Sequence, residues 1–224
     1  MRCFSNIKIS AAILALSGLI FANAMAEEKK LKILAVGDSI TSGSPEFYSP
    51  AEKPPDGAGN AEHQYAYWMM QKHPEWEVLN RGIAGQNTIQ VKDRLERELD
   101  TFKPDRVIIL VGVNSLIQKW GPDFIQKHLR EMYQTAQAKN VKVIACSIMP
   151  YDFATPLAQQ RLLAVNEWIK SYSQEHNLIF ADTYSAFEDP AKPFGLRASD
   201  DGLHPNVEGH KLMAKVITDA LEKT

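Results

Sequence analysis

The chain has 224 residues, 45% of them hydrophobic, 23% charged and 9% aromatic, with a formal net charge of -2. So much apolar surface this close to neutrality excludes a compositionally disordered chain, and 12 Gly, 12 Pro and 2 Cys exclude a collagen-like repeat or a disulfide scaffold. With 25 basic residues against 27 acidic ones there is no cationic surplus for phosphates, so no nucleic-acid partner is expected.

Residues 1–26 read as a secretory signal peptide. Arg2 and Lys8 form a basic start, Ala11 to Phe21 is an uncharged apolar run, and Ala24-Met25-Ala26 is a small-x-small cleavage pattern. The apolar run is well short of the roughly 20 residues a spanning helix needs, so no stable membrane span is expected. Cleavage leaves a single domain over residues 27–224, exported to the periplasm or secreted, with 198 residues and a net charge of -4. Cys3 departs with the leader. Cys146 then stands alone in an apolar run and reads as a buried small hydrophobe, with no partner for a disulfide.

The mature chain alternates short apolar runs with longer amphipathic stretches. Strands are predicted at Leu31 to Val36, Glu77 to Leu79, Asp105 to Val111, Val141 to Cys146 and Leu178 to Phe180, rich in Val, Ile and Leu without clean alternation. Helices are predicted at Tyr65 to Lys72, Thr88 to Thr101, Pro122 to Ala138, Pro156 to His176 and Pro205 to Glu222, the last three each opening on a proline. Five rounds of strand then helix predict an α/β protein, a three-layer α/β/α sandwich around a five-stranded parallel sheet. Two connections are long for this architecture, Gly43 to His63 and Asp182 to Asp200, and long loops on such a domain are functional or floppy.

Ligands of an open parallel sheet bind beyond the carboxyl ends of its strands. There stand Gly37-Asp38-Ser39, Asn80-Arg81-Gly82, Gly112-Val113-Asn114 and, in the last loop, Asp201-Gly202-Leu203-His204. Each segment has a plain reading: a turn or phosphate-cradling loop at Gly37 to Gly43, a tight turn at Gly82, a loop cap at Asn114 and an inert surface histidine at His204. Together they supply the parts of nucleophilic acyl transfer: a serine, an imidazole base held out of the following helix by Pro205, a carboxylate to orient it, and donors for an oxyanion. Asp200 and Asp201 both qualify as the carboxylate. A metal site built from Asp200, Asp201, His204, Glu208 and His210 matches no familiar spacing, so neither metal nor cofactor is expected.

These four blocks, in this order and spread over nearly all of the mature chain, resemble the SGNH hydrolases, also called GDSL esterases and lipases. The resemblance implies a flavodoxin-like sandwich and ester hydrolysis through an acyl-serine. By position it implies Ser39 as nucleophile, His204 as base and Asp201 rather than Asp200 as its carboxylate. It implies the Ser39 N–H, Gly82 and Asn114 as the oxyanion hole. Ser115 departs from the pattern, in which Asp commonly follows the Asn. The expected partner is a small-molecule, lipid or acylated-glycan ester, foremost a carboxylic ester of short-to-medium acyl chain. Carbohydrate O-acetyl esters, lysophospholipids and thioesters are the alternatives within the family, and a non-catalytic exported glycan- or lipid-binding domain is the alternative outside it. Phe47, Tyr48, Trp120, Tyr151 and Phe153 stand on the loops that could line the substrate site. Nothing in the sequence assigns an oligomeric state.

Overall fold

The computed structural model describes residues 29–223, so the leader read at residues 1–26 lies outside the described residues. The first strand, β1 (Leu31–Gly37), buries Ile33 to Val36 completely, as a run of aliphatic residues covered on both faces must. It ends in a four-residue helix, α1 (Ser39–Ser42). The next connection folds into a short ribbon, β2 (Phe47–Tyr48) against β3 (Ala58–Gly59), and a 3-10 turn leads to α2 (Tyr65–Lys72). Then follow β4 (Trp76–Gly82), α3 (Thr88–Phe102), β5 (Arg106–Leu110), α4 (Val113–Ile117) and α5 (Pro122–Ala138). The chain continues through β6 (Lys142–Cys146), α6 (Pro156–Glu175), β7 (Ile179–Ala181) and α7 (Thr183–Phe187). A second ribbon, β8 (Glu188–Asp189) with β9 (Lys192–Leu196), precedes the last helix, α8 (Val207–Glu222).

The central sheet is parallel throughout, in the order β4-β1-β5-β6-β7. This is the predicted flavodoxin-like arrangement, with the strand order reversing between β1 and β5, where such sheets bind ligands. The register makes that position useful. Gly37 pairs with Gly82 on one side and with Leu110 on the other, so three strand ends are level and their loops open into one crevice. The helices form two groups, α3, α5 and α6 packed side by side and α2 packed on α8, which gives the sheet its flanking layers.

The second strand runs longer than predicted, from Trp76 to Gly82, because it is an edge strand. Its residues alternate buried and half-buried, so Glu77, Asn80 and Arg81 interrupt the apolar run without ending the strand. The last helix starts at Val207, two residues later than predicted. Asn206, and not a residue before Pro205, is its cap, its side chain accepting from the Gly209 N–H at 3.2 Å. Thr155 caps α6, and Asn87 with Gln90 forms a reciprocal capping box on α3.

Candidate active site

Ser39 is the first residue of α1, directly beyond β1, and is 7% exposed. The Asp38 side chain caps this turn, accepting from the Ile40 N–H at 3.1 Å. Gly37 is required here, since a Cβ would run into the Leu110 carbonyl and the Thr41 side chain. The Ser39 N–H, at the open end of the turn, has no partner among the described residues.

The structure brings the last loop to this serine across 165 positions of sequence. His204 Nε2 lies 3.0 Å from Ser39 Oγ, and His204 Nδ1 lies 2.7 Å from Asp201 Oδ2. A carboxylate only accepts, so Nδ1 carries the ring proton and Nε2 offers its lone pair to the hydroxyl. The second oxygen of Asp201 accepts the backbone N–H groups of Leu203 at 2.8 Å and His204 at 2.7 Å. Partial burial works to raise the Asp201 pKa, but these bonds and the adjacent imidazole outweigh it and hold the carboxyl at about 2. Asp200 turns the other way and accepts from Asn206 Nδ2 at 3.0 Å, so the two candidate carboxylates separate. Gly202, at φ 75°, sits against the Asp152 side chain, whose carboxylate takes the Leu196 N–H at 2.8 Å and braces the loop from behind.

Asn114, the second residue of α4 beyond β5, donates one amide hydrogen to the Gln86 carbonyl at 2.9 Å. The other amide hydrogen has no partner among the described residues, so the side chain is anchored and still able to donate. Ser115, the departure noted in this block, is fully buried. Its hydroxyl accepts the Thr88 N–H at 3.1 Å and meets the Thr88 hydroxyl at 3.1 Å, tying α4 to the start of α3.

Gly82 is the expectation the geometry corrects. Its N–H donates to Asn80 Oδ1 at 3.0 Å and is not a free donor. The absence of a side chain serves packing, because a Cβ on Gly82 would strike the backbone of Thr41 and Ser42. Three residues on, Gly85 stands exposed at φ 75° with open space where a Cβ would be, and its N–H has no partner among the described residues. The turn carrying it is fastened to the site at both ends: the Ile83 N–H donates to the Gly37 carbonyl at 3.1 Å, and the Gln86 carbonyl receives Asn114. Both glycines lie in one short block of sequence, and only the hydrogen-bond partner separates them.

Arg94 is a contributor that sequence reasoning missed. Buried on α3, it donates from Nη2 to the Gly37 carbonyl at 3.0 Å and from Nε to Gln86 Oε1 at 2.8 Å, so one guanidinium links the nucleophile's strand to the Gly85 turn. The available signal was its place, with Glu98 one turn on, in the apolar stripe of Val91, Leu95 and Leu99.

The five aromatic candidates divide. Phe47 is buried and its ring fills the space beside Gly57, so it packs the ribbon and does not line a pocket. Tyr151 is 2% exposed and belongs to the core. Tyr48 and Phe153 are exposed, and Trp120 is half-buried, edge-on to the exposed Phe124 at 5.0 Å.

The chain matches the model of the GDSL-like lipase/acylhydrolase family over residues 35–212. It is 26% identical over 204 residues to an acetylxylan esterase of Geobacillus stearothermophilus, covering 83% of this chain and 91% of that one. It is 25% identical over 218 residues to an arylesterase of Vibrio mimicus, covering 92% and 95%. Among solved structures, a member of the lipolytic G-D-S-L family from Veillonella parvula superposes with a TM-score of 0.72 at 21% identity, over 86% of this chain and 99% of that one.

Proposed function

This chain belongs to the GDSL-like lipase/acylhydrolase family and is a serine ester hydrolase, and on that premise we propose how its residues divide the work. Ser39 Oγ attacks the ester carbonyl carbon as His204 Nε2 takes the hydroxyl proton, and Asp201 holds the resulting imidazolium in place. The carbonyl oxygen, now an oxyanion, is met by the N–H of Ser39, the N–H of Gly85 and the second amide hydrogen of Asn114. Collapse of the tetrahedral adduct breaks the bond to the alcohol, which leaves with the proton from His204. Water, deprotonated by the same imidazole, then releases the acid from Ser39. The observation that carries this reading is the unbroken relay from Asp201 through His204 to Ser39, at 2.7 and 3.0 Å.

The proposed substrates are carboxylic esters of short-to-medium acyl chain. A second reading, removal of acetyl groups from carbohydrate, is favoured by the likeness to an acetylxylan esterase across 91% of that enzyme's length. Export by the leader at residues 1–26 suits both, since it would put the enzyme where such esters are met from outside the cell.

A fluorophosphonate is the direct test: mass spectrometry should find one adduct, on Ser39, and none in Ser39→Ala. Folded protein that takes no adduct would overturn the hydrolase mechanism in favour of a non-catalytic binding domain. Rates on nitrophenyl acetate, butyrate and octanoate, beside acetate release from acetylated xylan, separate the two substrate readings.

A further inference from the structure

The long connection after α1 is where a substrate lid would be sought, and its hydrogen bonds describe something else. The Glu52 carboxylate, from the middle of that connection, receives three donors from three places. One oxygen accepts the Ala84 N–H at 2.9 Å; the other accepts the Ser49 N–H at 3.1 Å and a short bond from the Ser42 hydroxyl. Ser42 is the last residue of α1, the helix that Ser39 begins, and Ala84 immediately precedes Gly85. Ser49 adds a further tie, its hydroxyl donating to the Gly82 carbonyl at the end of β4.

Along the turn from Ile83 to Gln86, every backbone N–H but one is committed. Ile83 donates to Gly37, Ala84 to Glu52, and Gln86 back to Ile83 at 3.3 Å. Among the described residues, Gly85 alone in this turn has an N–H left to point at a ligand. Its φ of 75° is one a glycine leaves readily, so the turn's shape depends on the partners of its neighbours. Among the described residues the Ala84 N–H has a single partner, Glu52. A negative charge near a forming oxyanion opposes it electrostatically, so the benefit of a carboxylate at this place lies in the bonds it accepts.

We infer that Glu52 is a positioning residue for ester hydrolysis: by holding Ala84 and Ser42 on one carboxylate, it fixes the Gly85 N–H relative to Ser39. The inference rests on the proposed role of Gly85 as an oxyanion donor. Its expression is in kcat, since the oxyanion forms after the ester has bound, and KM should move little.

The test compares Glu52→Ala and Glu52→Gln with the parent on nitrophenyl butyrate, each rate expressed per Ser39 labelled by fluorophosphonate so that unfolded protein is not counted. A boronic acid, which forms a tetrahedral adduct on the serine, is titrated in parallel. Glu52→Ala should lose about 10-fold or more in kcat, within the roughly 10²- to 10³-fold that removal of a whole donor costs, with KM within about twofold and boronate affinity falling in step. Glu52→Gln offers one acceptor oxygen in place of two and should fall between. Parental kcat and boronate affinity in both variants, or a loss confined to KM, would overturn the inference. If Glu52→Ala does not fold, Glu52→Gln decides: an intermediate kcat supports the role and a parental one overturns it. Should the parent itself take no label on Ser39, the hydrolase mechanism fails first and independently of Glu52.

Discussion

Asn114 holds one amide hydrogen on Gln86 and, in the proposed mechanism, gives the other to the oxyanion, so truncation separates catalysis from folding. Asn114→Ala should lower kcat by roughly 10²- to 10³-fold, the cost of one oxyanion donor, and stability by only about 1 kcal/mol, the worth of one hydrogen bond. Steady-state kinetics and a thermal melt on the same preparation check both numbers. Asp38 presents a different balance. Burial raises its carboxyl to about 7 against the Ile40 bond and the nearby Arg94 charge, and Oδ2 has no partner among the described residues. A carboxyl whose folded pKa lies above its unfolded value contributes most below the unfolded value, so stability falls as pH rises from about 4 towards 7. Asp201, held at about 2, has the opposite sign: its contribution is present above about 4 and is lost as pH drops towards 2. The two windows do not overlap, which makes the Asp38 effect assignable. Asp38→Asn keeps an acceptor for Ile40 and removes the titration, so its melting temperature should decline less than the parent's between pH 5 and 8. The difference at the upper end should be on the order of 2–4 kcal/mol, read by denaturant titration at each pH. At this scale Ser39 and His204 were legible as chemistry beyond the strand ends, whereas Asp201 was separated from Asp200 only by the family resemblance. Gly85 was not legible, because Gly82 and Gly85 share one block, and choosing between them takes the knowledge that Asn80 bonds the Gly82 N–H.

Between residues and the whole lie the elements, and here the legible parts are those with a strong period or an uninterrupted apolar run. β1, β5 and β6 are buried along nearly their whole length, and α3 and α5 carry clean apolar stripes, so their patterns are unambiguous. The helices α1, α4 and α7, of four or five residues, are too short to show a period, yet two of them hold Ser39 and Asn114. The length of the Gly43 to His63 connection leaves a functional loop and a floppy one both open. Its Phe47 is buried under the ribbon, and its Ser49 and Glu52 reach the ends of β4 and α1. Such ties are long-range and leave no periodic trace. The start of α8 joins element to site. Asn206 caps the helix from its own side chain and steadies Asp200 with its amide, two residues after His204. Asn206→Ala should therefore cost about 1 kcal/mol of stability as a lost cap, measured by denaturant titration. Fluorophosphonate should still label Ser39 at a similar final extent, since Asp201 and not Asp200 orients His204.

For the molecule as a whole, the arrangement of strands decides what four scattered blocks can do. Parallel strands in the order β4-β1-β5 place three carboxyl ends side by side, and the chain's return through α8 brings the fourth block over them. The alternation of strand and helix predicts a parallel sheet and the family resemblance implies its flavodoxin-like form, but neither carries the level register of Gly37, Gly82 and Leu110, since pairing is set by contacts between strands distant in sequence. The same sheet bears on the proposed export. Cys146 lies within β6, 2% exposed, and burial in apolar surroundings pushes its thiol well above the usual range. On the proposed export, removal of Cys3 with the leader would leave Cys146 without a second cysteine in its own chain, so no intramolecular disulfide would contribute to stability in an oxidising compartment. Two measurements follow on protein purified from the exported fraction. Its intact mass should correspond to residues 27–224. Its melting temperature should be the same with and without dithiothreitol, with Cys146 reacting with a maleimide only once the protein is denatured. A reductant-sensitive melt would mean an intermolecular disulfide through Cys146, which the burial of that side chain in the central sheet forbids in the native state.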